Sequence, residues 1–116
     1  NNRGQTSVAK TDNTITFENN VQIITLQAGK VSGTFAFYTG SAGYLYAASS
    51  SKNYLRTQAT LDNNGSWKIT ITSAGVATIK AQGSYTRNWL RYNSSSGIFA
   101  CYSSGQGDVC IYKLTN

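Results

Sequence analysis

The chain carries few groups able to do acid–base or nucleophilic chemistry. It contains no histidine, so neither a Ser-His-Asp triad nor a Cys-His pair can be assembled within it. Its acids are Asp12, Glu18, Asp62 and Asp108. Hydrolysis by paired carboxylates needs two of them about 5–10 Å apart. Glu18, Asp62 and Asp108 each precede a strand-like run, at 21–26, 67–71 and 109–113, and elements repeated about an axis would hold them apart. No glycine-rich phosphate loop and no cluster with metal-ligand spacing is present. The expectation is a protein that is not an enzyme and carries no cofactor or metal.

The same acids suit recognition better than catalysis. Asn19 and Asn20 follow Glu18, Asn63 and Asn64 follow Asp62, and Gln106 precedes Asp108. Carboxylates and amides hydrogen-bond sugar hydroxyls, and an aromatic face packs on the apolar side of the ring. Tyr46 and Trp89 are the best placed aromatics, since each alternates away from an adjacent leucine (Leu45, Leu90). The candidate ligand-binding set is therefore Tyr46, Trp89, Arg91, Asp62, Asn63, Asp108, Gln106 and Glu18. The competing reading of each acid is a turn former, a common use of Asp and Asn before a strand.

These residues have to be positioned by strands. The 116 residues suffice for one domain with a modest core. Short runs rich in Val, Ile, Thr, Tyr, Phe and Trp alternate with Gly, Ser, Thr and Asn clusters, which is an all-β signature. Residues 44–51 (YLYAASSS) return 45 positions later as residues 89–96 (WLRYNSSS), and a fixed period in the 40s marks a repeat architecture. Grouped by that period, the strands predict a β-trefoil-like fold of three units at about 1–30, 31–75 and 76–116. The first unit is incomplete, because two of its four strands would fall before residue 1. An unpaired edge of that kind invites a strand from another chain. In the pattern at 66–71, Trp67, Ile69 and Ile71 should face inward.

Ten Lys and Arg residues against four acids give a net charge of +6. The cations are scattered and charged residues are only 12% of the chain, so nucleic acid is an unfavoured partner. If a polyanion does bind, Arg56, Lys68, Arg87 and Arg91 are the cations to consider. No run approaches the roughly 18 apolar residues of a membrane helix. Cys101 and Cys110 flank a segment that reads as a hairpin. With Tyr102 opposite Val109, the two cysteines would face each other. A cross-strand disulfide and two buried free thiols both remain open readings.

Residues 43–51, 66–69, 77–81, 86–93 and 99–106 resemble an accessory module of secreted multi-domain proteins from gut Bacteroidetes and Firmicutes. The resemblance covers nearly the whole chain. It implies a trefoil-like module that begins with strands preceding Asn1, an extracellular or cell-surface location, and neighbours such as nucleases, other hydrolases or adhesion domains. It transfers no catalytic motif. Cys110 departs from that pattern, so the resemblance does not imply a disulfide. The function expected is non-catalytic binding of a glycan or cell-surface polysaccharide. Assembly through an open edge is the alternative, and polyanion attachment comes third.

Overall fold

The computed structural model describes residues 2–12, 14–16 and 18–115. The protein is all-β. Its strands are β1 Arg3–Gly4, β2 Lys10–Thr11, β3 Thr14–Thr16, β4 Thr25–Ala28, β5 Phe35–Tyr38, β6 Tyr44–Ala47, β7 Leu55–Gln58, β8 Trp67–Ile71, β9 Ala77–Ala81, β10 Trp89–Asn93, β11 Ile98–Tyr102 and β12 Lys113–Thr115. A 3-10 turn, Asn63–Gly65, precedes β8.

Two successive antiparallel meanders build the main sheet. β4 to β7 pair in chain order, as do β8 to β11. Turns set the register: Gly43 has φ of +93°, and a Cβ there would lie 2.1 Å from the Gln58 carbonyl oxygen, which only glycine avoids. The meanders join where Phe35 pairs with Trp67. β5 therefore gives one edge to β4, while its other edge splits between Trp67 at the start and Tyr44 at the end. β9 behaves alike. One edge follows β8, and the other meets Val109 at Ala77 and Trp89 at Lys80.

The sheet curls into a nearly closed barrel. Its seam is made by the N-terminal segment. β1 pairs with β11 (Arg3 with Phe99, Gly4 with Ile98). On the other side the Asn2 N–H donates to the Leu55 carbonyl at 2.6 Å, and the Leu55 N–H donates to Asn2 Oδ1 at 2.9 Å. β2, β3 and β12 form a separate small sheet in which β12 runs parallel to β3.

Strand alternation sends Phe37, Leu45, Ala47, Leu55, Trp67, Ala77, Ile79, Ala81 and Cys101 inward to a buried core. Trp67 is wholly buried and Ile69 packs on the core, as expected. Ile71 departs from expectation. Its partner Ala77 is buried, so Ile71 is on the core-facing side, yet at the end of β8 it is 59% exposed. Leu26, opposite buried Phe37, is likewise on the core side and 52% exposed.

Three other expectations are corrected. The strand read at 21–26 begins at Thr25 instead, and Ile23 and Ile24 are left exposed outside it. The strand read at 109–113 reduces to a single bridge at Val109, with β12 starting only at Lys113. The expected hairpin joining Cys101 to Cys110 does not form: Cys101 lies opposite Leu90, and both cysteines are free, Cys101 buried and Cys110 exposed. β11 takes β10 as its partner because their alternation matches over five residues, and the loop after Tyr102 then carries Gly107 to Tyr92.

Truncating Trp67 removes the largest core side chain and strands the Leu45 carbonyl that its Nε1 reaches at 3.2 Å. Trp67→Ala should cost about 3–5 kcal/mol in urea unfolding. Asn2→Ala should cost about 1 kcal/mol by removing the side-chain bond at the seam.

Candidate functional site

The residues singled out by chemistry separate into two places on the surface, with the remainder elsewhere. The first place is built around the 3-10 turn. Asp62 caps it: Oδ1 accepts from the Gly65 N–H at 3.1 Å and from Gln58 Nε2 at 2.8 Å. The turn-forming role of Asp62 is thus real and holds its carboxylate rigid. Asn63 is exposed and Asn64 half-buried. Together with Lys30, Gln82, Gly83 and Ser84 they line a shallow cavity of about 480 Å³. Gly83 makes this fit, since a Cβ there would lie 1.9 Å from Asn64 Oδ1. The residue after Ser84, Tyr85, is 39% exposed, and its N–H donates to Asn64 Oδ1 at 3.3 Å.

Composition and repeats pointed to Asp62 and Asn63. They did not reveal Lys30, Gln82, Ser84 or Tyr85, which lie in loops without periodicity. The one available signal was the turn-forming string at 82–86.

The second place is on the outer face of the sheet. Trp89 opens β10, pairs with Lys80 and is half-buried, on the opposite face from Leu90. The outward direction expected for Trp89 is therefore observed, and Tyr46 likewise faces away from buried Leu45. Arg91, two residues along the same face, pairs with Asp108 at 2.7 Å. Both cations approach the indole, Lys80 Nζ at 5.1 Å and the Arg91 guanidinium at 5.6 Å from the ring centre. The fold thus brings Trp89, Arg91 and Asp108 together. Gln106 is exposed nearby in sequence, with φ of +68°.

Tyr46 is opposite Arg56, in the other meander. Glu18 is exposed in a turn whose carbonyl accepts from Val21. No cluster of three His, Cys, Asp or Glu side chains that could hold a metal ion occurs among the described residues. The serine runs are turn chemistry. Ser49 Oγ accepts from the Ser51 and Lys52 N–H groups, and Asn93 Oδ1 from the Ser96 N–H.

Burial pushes the Cys101 thiol up to about 12 from an ordinary 9.0. The folded protein therefore keeps the proton where the unfolded chain loses it. That contribution to stability is complete below about pH 9 and falls away as pH rises towards about 12. Between pH 8.5 and 10.5 the urea midpoint should drop less in Cys101→Ala than in the parent. In the native parent at pH 8, a disulfide reagent should label one thiol, that of Cys110.

Comparison with protein-family models, curated proteins and solved structures finds no match. No helix among the described residues is long and apolar enough to cross a membrane.

Proposed function

We propose that this chain is a non-catalytic carbohydrate-binding module of a secreted or cell-surface protein. The observation that carries the reading is the cavity at the 3-10 turn. There a carboxylate, two asparagine amides, a glutamine, a lysine and a serine converge, and the next residue along the chain, Tyr85, is 39% exposed. Convergent acceptors and donors are what a sugar's hydroxyl edge requires. Asp62 is held by two hydrogen bonds before any ligand arrives, so little ordering cost falls on binding.

The fold reading is a β-trefoil. Its support is that β5 and β9 divide their edges alike: the bridge of Phe35 to Trp67 is matched, 42 residues on, by the bridge of Ala77 to Val109. The 45-residue offset also places Tyr44 and Trp89 at the first residue of β6 and β10.

A glycan array probed with the folded domain tests the function. Reproducible, saturable hits should be lost in Asn63→Ala and in Gly83→Ala, whose new methyl displaces Asn64. A blank array with a domain shown to be folded overturns the reading.

One observation favours assembly as a second reading. Among the described residues β4 pairs with β5 alone, its four residues are exposed and uncharged, and Ile23, Ile24 and Leu26 are exposed apolar side chains in it or just before it. Edge strands that stay solvated normally carry charge or a bulge. Under this reading Leu26→Lys should abolish concentration-dependent association in sedimentation, and a parent that stays monomeric at high concentration rules it out.

A further inference from the structure

The outer face of β8, β9 and β10 carries a groove of about 260 Å³ lined by Lys68, Thr70, Thr78, Lys80 and Trp89. Lys68 lies directly opposite Lys80, and Thr70 opposite Thr78, on adjacent antiparallel strands. Directly opposed residues have Cβ atoms about 5 Å apart, and like charges at that separation destabilise a sheet. Neither lysine is paired with an acid among the described residues. The nearby Asp108 is engaged by Arg91. A fold that needed only stability would place an acid or a neutral residue at one of these positions. From this we infer that the groove is a second ligand site, built for an acidic saccharide unit.

The division of labour follows from the side chains. The Trp89 indole forms the apolar wall on which a pyranose ring packs. The two ammonium groups receive a sulfate or carboxylate, whose charge relieves their mutual repulsion. The threonine hydroxyls hydrogen-bond the neighbouring sugar hydroxyls. Lys80 stands over the indole face at 5.1 Å, so its ammonium swings off that face towards the anion as the sugar ring packs there.

Single-stranded nucleic acid fits less well. Its sequence-tolerant binders present several aromatic platforms in succession along a basic track, whereas this groove has one ring and two lysines. The inference takes its polymer class from the carbohydrate reading above. The anionic charge and the location come from the groove itself.

The test uses surface-immobilised heparin and polygalacturonate as sulfated and carboxylated probes, dextran as a neutral one, and an oligothymidylate. Lys68→Gln/Lys80→Gln should bind one or both acidic polysaccharides about tenfold more weakly than the parent, with a shallower salt dependence. Lys52→Gln/Lys113→Gln, which removes the same charge from exposed sites outside the groove, should change binding by less than about threefold. Trp89→Ala should weaken the same probes without lowering the melting temperature appreciably. The groove double variant should melt no lower than the parent, because a repulsion has been removed.

Equal losses in the two double variants would reduce the effect to net charge and overturn the site. Failure to bind either acidic polysaccharide overturns it too. Lysine-dependent binding confined to the oligothymidylate overturns the saccharide assignment. The two sites fail separately: a blank neutral array leaves the groove result standing, and heparin binding that ignores Lys68 and Lys80 leaves the turn cavity standing.

Discussion

Trp67 is the contact on which the rest of the molecule depends. It is wholly buried, its backbone pairs with Phe35 on one side and Ala81 on the other, its ring meets Phe37 at 5.9 Å, and its Nε1 donates to the Leu45 carbonyl. One residue thus joins the two meanders, anchors β6 and fills the centre of the core. Both surface sites take their geometry from it. Ser66, its neighbour, receives the Lys30 N–H and donates to the Asp62 carbonyl, which ties the turn cavity to the start of β8. Lys68, on its other side, points out into the groove because Trp67 points in.

The outer face can be polar and charged because the inner face supplies the cohesion. Alternation along β8 and β9 sends Trp67, Ala77, Ile79 and Ala81 to the core and Lys68, Thr70, Thr78 and Lys80 to solvent. Burial on one side tolerates the opposed lysines on the other, at a cost of a few tenths to about 1 kcal/mol. The cation–π contacts to Trp89 offset part of it. The cavity at the 3-10 turn relies on a different device. Its polar groups are held by backbone bonds and by the absence of a side chain at Gly83, so its shape is set locally.

Legibility in the sequence followed the range of the interactions. Leu45, Trp67 and Trp89 were assigned to their faces correctly because period-two alternation is a local signal. β6 and β10 were legible as strands from the same alternation, in Tyr44-Leu45-Tyr46 and Trp89-Leu90-Arg91. What escaped was the register of strand pairs, which turns and partner strands set together. The apolar run at 21–26 looked like a strand on propensity, but β4 is fixed by its register with β5 and starts only at Thr25. The apposition of Lys68 and Lys80 depends on the turn at 72–76, where the Gly75 N–H donates to Thr72 and the Thr72 N–H to Val76. Cys110 was placed opposite Cys101 by symmetry of spacing, whereas β10 supplies a better matched partner for β11. The loop at 82–86 has no periodicity, so its share of the cavity could not be read.

The seam at Asn2 has a dynamic consequence. A strand of two residues, held to β7 by two hydrogen bonds next to a positive φ at Asn2, has little burial behind it, and opening free energies follow burial and contact density. The barrel should therefore breathe at this seam long before it unfolds. The Leu55 amide should exchange with solvent deuterium far faster than amides of β8 and β9, although Leu55 itself is as buried as any residue in the core. Side-chain burial and backbone protection are thus uncoupled at the edge of β7, where a thinly held joint lies beside a buried core side chain.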